Sequence, residues 1–265
     1  MLNLRHLTAS IMFLAVVSCS NVLAVAEMTS QVKSIVAAMD KAVDPENRGD
    51  KIKSFIVTSE AQLPQQQINI LCVSKYKSPN KMISEISIPG VMETKECFDG
   101  EFGWLYSPAM GLVPAAGDQL LSMKFMAKMS SPTAKFANIY DKIELDPKSE
   151  KVNGVDCYKL VCTIPKEYNM PPALFFVDKK SYLVRKSEIT VTTMMGQQVV
   201  PVEITKYKKQ YGIMWPAETL MNSMGMKMVL KMKSVKINCD IPDKDFKAPE
   251  IKNVQTETPA MGLMQ

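Results

Sequence analysis

Between Tyr76 and Pro108 the chain leaves room for little but short strands and tight turns. The stretch YKSPNKMISEISIPGVMETKECFDGEFGWLYSP carries no apolar repeat at helical spacing. Ser78-Pro79-Asn80 and Pro89-Gly90 supply turn chemistry, and Asp99-Gly100 sits between two runs rich in β-formers, a strong local hairpin signal. In the last run Phe102, Trp104 and Tyr106 alternate, so a strand over residues 101–106 predicts all three aromatics on one face, with Trp104 as a cavity wall.

The rest of the chain extends this pattern. Strands are expected over residues 51–60, 66–77, 81–88, 91–98, 141–146, 156–164, 173–178, 182–193, 198–209, 214–221 and 226–238. Asn153-Gly154, Asp178-Lys179-Lys180, Met195-Gly196, Tyr211-Gly212 and Met224-Gly225 separate the later ones. About a dozen strands at this spacing predict an α+β protein, a strongly curved antiparallel sheet left as an open half-barrel.

Two helical patterns interrupt the strands. Thr29 or Ser30 can cap a helix whose apolar residues Val32, Ile35, Val36, Met39 and Val43 form one stripe, ended by Pro45. Gly117-Asp118 opens a second helix, with Leu121, Phe125 and Met129 on one face and Lys124 and Lys128 beside it. Two stripes that need one apolar surface place both helices on the concave face of the sheet. The first stripe is wide enough to seal an apolar opening, so Val32, Ile35, Val36 and Met39 are the expected lid, moving off the sheet on ligand capture.

Residues 1–26 read as an export signal: Arg5 and His6, an apolar core from Leu7 to Val17, and Ala24-Val25-Ala26 as a cleavage site. A second reading stays open, in which Val16-Val17-Ser18-Cys19 is a lipobox and Cys19 is lipidated. A periplasmic protein or a membrane-anchored one follows accordingly. Residues 27–250 form one domain and 251–265 a frayed tail. Without Arg5, 31 basic residues face 27 acidic ones, a dispersed +4 with none of the clustering that nucleic acid demands.

Catalytic machinery is not legible. The only histidine is His6, inside the signal, which removes Ser-His-Asp and Cys-His nucleophiles and every histidine metal site from the exported chain. No P-loop, no G-x-G-x-x-G and no C-x-x-C is present, and no cofactor is expected. Cys72, Cys97, Cys157, Cys162 and Cys239 are an odd number of thiols, read as small buried hydrophobes.

Methionine is the positive signal, with 19 left of 21 once Met1 and Met12 are removed. In the last long strand Met226, Met228, Leu230 and Met232 alternate with Lys227, Val229, Lys231 and Lys233. That face is either packed on its own core or adapted to irregular apolar ligands such as lipid chains. Met224-x-Met226-x-Met228 also has a soft-ligand spacing suited to Cu(I).

Lys77-Ser78-Pro79-Asn80-Lys81 followed by Phe98-Asp99-Gly100-Glu101-Phe102-Gly103-Trp104-Leu105-Tyr106-Ser107-Pro108 resembles the K-x-P-N-K … D-G-x-x-x-W-x-Y-x-P pattern of the LolA-like outer-membrane-lipoprotein-sorting proteins. Gly154 through Leu160, Val177 through Leu183, Tyr207 through Gly212 to Pro216, and Phe246-Lys247-Ala248-Pro249 fit the same family in the same order. The resemblance spans roughly residues 28 to 250. It implies a half-closed barrel with a helical lid over an acyl-binding cavity, and a non-enzymatic monomer that binds lipid or the acyl chains of lipoproteins. It further implies a partner protein at the inner or outer membrane, and a role as shuttle, anchored acceptor or envelope sensor.

Overall fold

The computed structural model describes residues 25–63, 68–88, 90, 92–193, 196–223 and 226–249. Residues 1–24 of the expected signal, Cys19 among them, and the tail 251–265 lie outside these. The helix α1 (Ser30–Val43) comes first. The strands β1 (Ser54–Leu63), β2 (Ile68–Lys77), β3 (Lys81–Ile88), β4 (Met92–Phe98), β5 (Gly103–Ser107) and β6 (Gly111–Pro114) then run as a meander. After α2 (Gly117–Met129) a second run follows: β7 (Lys142–Leu145), β8 (Glu150–Val152), β9 (Val155–Thr163), β10 (Ala173–Asp178), β11 (Val184–Thr193), β12 (Gly196–Gln210), β13 (Ile213–Ser223) and β14 (Met226–Ile237).

All the described strands belong to one antiparallel sheet, in the order β6-β5-β4-β3-β2-β1-β14-β13-β12-β11-β10-β9-β7, with β8 paired to β9. The first and last strands therefore meet at its centre: Phe55 lies opposite Ile237 and Ala61 opposite Leu230. The edges β6 and β7 are consecutive in sequence and joined by the segment that carries α2. That segment has to cross the inner face from one edge to the other. Fourteen strands replace the expected dozen because β6 and β8, four and three residues long, are too short for alternation to register. Register shifts at Thr58/Ser59, Phe176/Val177 and Ile204 to Tyr207 insert extra residues that bend the strands, and the sheet curls without closing.

The helix α1 forms as its sequence requires. The Thr29 hydroxyl accepts from the Val32 N–H at 3.3 Å, and the Asp44 N–H closes the last turn on the Asp40 carbonyl ahead of Pro45. Val32, Ile35, Val36 and Met39 are buried against Ile143, Leu160 and Phe175 on the inner face. Ala26 belongs to the same core, and its N–H donates to the Ala137 carbonyl at 2.8 Å.

A second core lies on the outer face. There the 3-10 turn Asp243–Phe246 folds back as a strap, burying Ile241 and Phe246 against Ile83, Cys97 and Trp104. The Trp104 indole donates to the Phe246 carbonyl at 3.0 Å, and the Lys77 ammonium donates to the Ile241 carbonyl at 2.8 Å. Asp243 takes Lys77 and Lys81 at 3.0 and 2.9 Å.

The β10–β11 turn is held by Asp178. One carboxylate oxygen accepts two bonds from Arg185, at 2.8 and 3.1 Å, and the other accepts from the Lys180 and Ser181 N–H groups. Burial works against ionisation here, but the Arg185 and backbone donors outweigh it and hold the carboxyl down to about 2, from 3.8. A depressed folded value stabilises the fold above pH 3.8, and the contribution is lost as pH falls from there through about 2. Asp178→Asn is expected to lower unfolding free energy by about 2 kcal/mol at pH 6, with the gap to the parent closing across that acid window. Denaturant titrations at a series of pH values measure it, and a gap independent of pH below 4 would contradict the assignment.

Candidate functional site: the cavity under the second helix

The sequence of α2, GDQLLSMKFMAKM, has apolar residues nearly all round, and the structure explains why. Phe125 packs into the core shared with α1, edge-on to Tyr140 and Tyr168. Roughly opposite on the helix, Leu120, Met123 and Ala127 pack with Phe98 and Ala115. Between these two faces Gln119, Ser122 and Met126 look into a void. Contacts to both runs of the sheet hold the helix there. The Ser122 hydroxyl accepts from the Thr192 N–H at 3.4 Å, and the Ser130 hydroxyl lies 3.5 Å from the Met82 sulfur. Gly103 lets α2 approach β5, since a Cβ there would sit 2.9 Å from the Met123 sulfur and 3.0 Å from Ala115 Cβ.

The void under α2 has a volume of about 750 Å³. Its walls are mainly apolar, with five methionines among them: Met82, Met110, Met123, Met126 and Met221. Phe55, Leu105 and Val191 extend the apolar surface. One stretch of the floor is polar. In register across three strands stand Ser74 on β2, Ser84 on β3 and Glu96 on β4, all bordering the void. Glu96 is at once accessible and desolvated, because it faces an open volume that protein surrounds. Loss of bulk water raises its carboxyl above the usual range.

The residues singled out from the sequence fall in three places. Val32, Ile35, Val36 and Met39 share the inner core with Phe125, and Met129 packs on it. Met39 and Met129 also border a separate void of about 290 Å³. Leu121 is half-buried and does not border the larger void. By register, Met228 lies opposite Met221, Leu230 opposite Ala61 and Met232 opposite Ser59, on the inner face beyond the cavity. The side chain of Met226 and all of Met224 lie outside the described residues, so the Cu(I) spacing falls there. Among the described residues no group of three or more His, Cys, Asp or Glu side chains could hold a metal ion.

The three aromatics of the Asp99-Gly100 hairpin do not stand on the inner wall. The turn is longer than the dipeptide signal suggests: the Asp99 N–H donates to the Phe102 carbonyl, and its carboxylate accepts from the Glu101 and Phe102 N–H groups. Phe102 therefore belongs to the turn and is 62 % exposed. β5 begins at Gly103, so its inner residues are Gly103, Leu105 and Ser107, while Trp104 and Tyr106 face the outer core. Trp104 anchors the C-terminal strap. Trp215 braces a turn, its indole donating to the Gln210 carbonyl and its ring set edge-on to Phe55.

The described cysteines are free thiols. Cys162 is in the inner core and Cys157 in a small outer one. Burial pushes Cys97 up to about 12 and Cys162 higher still, which disfavours the thiolate and with it nucleophilic chemistry.

The wall residues Met82, Ser84, Glu96, Leu105, Ser122, Met126 and Met221 were not among those expected. Alternation puts Met82, Ser84, Ile86 and, one strand on, Glu96 and Phe98 on common faces. Only the register of β3 with β4 shows that this face is the inner one.

No protein-family model matches the chain, and no curated protein does. Solved structures do match. A domain described as outer membrane lipoprotein-sorting, from Vibrio parahaemolyticus, is 18 % identical with a TM-score of 0.52, covering 80 % of this chain and 94 % of its own. A DUF1329 family protein from Desulfovibrio piger is 16 % identical at a TM-score of 0.52, covering 83 % and 98 %. A LolA superfamily protein from Nitrosomonas europaea is 18 % identical at a TM-score of 0.50, covering 84 % and 99 %. The likeness at these identities is one of architecture: the chain has the LolA-like fold, an open antiparallel half-barrel with its helices inside.

Proposed function

We propose that this is a non-enzymatic cell-envelope protein that takes the acyl chain of a lipid or lipoprotein into the cavity between α2 and the inner sheet face. The observation that carries the reading is the cavity itself. At about 750 Å³ it falls in the range of about 300–1,000 Å³ usual for small-molecule sites, and flexible methionines form much of its wall. The fold supports it, being shared with a domain described as lipoprotein-sorting and with a LolA superfamily protein. Outer-membrane lipoprotein sorting, with a membrane partner protein, is its sharpest form. No helix among the described residues is long and apolar enough to cross a membrane.

The site of processing bears on the anchored alternative. A cut after Ala26 would remove a core side chain and its bond to Ala137, whereas lipidation at Cys19 keeps both. The packing of Ala26 supports a mature chain that retains it.

Native mass spectrometry of protein purified from its own envelope tests both points, since bound acyl cargo and the mass of the N-terminus appear in one spectrum. The cavity is tested by filling it. Ser84→Trp sets a large ring on the floor of the void, on a strand that tolerates aromatics. Its affinity for a fluorescent fatty acid is expected to fall by about tenfold or more, with the unfolding midpoint little changed. A folded variant that binds the probe as the parent does would remove the cavity from the mechanism.

A further inference from the structure

One group on the cavity wall has no place in a site for hydrocarbon alone. Glu96 projects into the void from the middle of β4, flanked in register by Ser84 and Leu105. No hydrogen bond or ion pair to its carboxylate is made among the described residues. The other acidic or basic residue bordering the void, Lys75, turns its ammonium to the far side of the sheet, toward Glu85 at 3.4 Å and Asp245 at 3.7 Å. A carboxyl group thus stands in register with Ser84 and Ser74 on the wall of a methionine-rich void.

A carboxylate so placed favours some ligands and repels others. A fatty-acid carboxylate or a phosphate beside Glu96 would meet like charge where little bulk water remains to screen it. An ammonium would supply the missing counter-charge and donate hydrogen bonds to the carboxylate, while its chain covered the methionines. We propose that Glu96 selects for amphiphiles whose apolar chain ends in an ammonium group, such as a simple long-chain amine or an aminoethyl lipid headgroup. The proposal rests on the acyl-cavity reading and deepens it. Desolvation of Glu96 is consistent with it, because burial disfavours the ionised carboxylate and an ammonium beside it favours that form again.

The test compares three probes of one chain length, dodecylammonium, dodecanoate and dodecanol, by calorimetry or by displacement of a fluorescent probe. The parent is expected to bind dodecylammonium about tenfold or more tightly than dodecanoate. Glu96→Gln should bring that ratio close to one and leave dodecanol unchanged. Glu96→Asp, which keeps the charge, should keep the preference, and circular dichroism establishes that each variant is folded. Lyso-phosphatidylethanolamine against lyso-phosphatidylglycerol then separates the two sources, and a Glu96-dependent preference in either pair supports selection for ammonium. An unchanged ratio in Glu96→Gln, or a parent that prefers dodecanoate, overturns it while dodecanol binding leaves the acyl cavity standing. If dodecanol does not bind the parent, both readings fall.

Discussion

Replacing Phe246 with alanine is expected to cost about 3–5 kcal/mol, a large part of the stability of a domain this size. The ring is 0 % exposed on the outer face, among Ile83, Cys97, Trp104 and Ile241, with the Lys81 ammonium 5.9 Å from its centroid. Its removal opens a cavity and loosens the strap whose carbonyl receives the Trp104 indole. Two signals should therefore move together in a denaturant titration. The midpoint should drop, and Trp104 emission should shift to the red as the indole meets water. Binding in the inner cavity should survive wherever the variant is folded, because the strap and the void lie on opposite faces of the sheet. A cost below about 1 kcal/mol would show that the strap contributes little to holding the fold.

The second large effect concerns α1. Were this helix a lid, Ile35→Ser with Met39→Ser would loosen it and speed uptake of a fatty-acid probe. The structure predicts a different result. Both side chains are buried in the inner core with Leu160 and Phe175, so the double change removes two apolar groups and strands two hydroxyls there. A loss of about 4 kcal/mol or more is expected, with the two sites coupled because they are neighbours on one helical face. Equilibrium unfolding gives the cost and stopped-flow uptake gives the rate. A variant as stable as the parent with faster uptake would restore α1 as the gate. Cover over the larger void comes from α2, the helix whose sequence shows the weaker stripe.

That contrast explains how much of the molecule could be read from its residues. Alternation, Asn-Gly and Asp-Gly turns and the Val32–Met39 stripe are local signals, and they sufficed for an open antiparallel half-barrel with helices inside. The first and last of the motifs behind the family resemblance gather in one place. Lys77, Asn80 and Lys81, the strand of Trp104, and Phe246 converge on the outer face, where Asn80 donates to the Gly100 carbonyl and the lysines reach the strap. These residues hold the sheet and strap together, so they announce the fold and do not point to the cavity. The cavity walls are set by register, which depends on turn length. Alternation separates Leu105 from Trp104 and Tyr106, but only the pairing of Glu96 with Leu105 and of Cys97 with Trp104 shows that Leu105 lines the cavity while Trp104 meets the strap. Helix α2 carries little legible signal for a related reason: a segment crossing between two sheet edges is buried on several sides, and a single stripe cannot describe it.

The meeting of β1 with β14 at the centre of the sheet also sets the order in which the protein can assemble. Each run of strands is built from hairpins between sequence neighbours, which close quickly. The seam is different, because Phe55 and Ile237 stand at opposite ends of the chain. As the chain emerges from N- to C-terminus the first six strands appear with one side of β1 unpaired, and it stays so until almost the whole chain has followed. A bare strand edge is a template for pairing with another molecule. The interval before β14 arrives is thus when this protein is most exposed to aggregation and most in need of a chaperone. Substitutions that weaken the β1–β14 pairing would accordingly reduce the yield of folded protein before they altered anything the folded protein does.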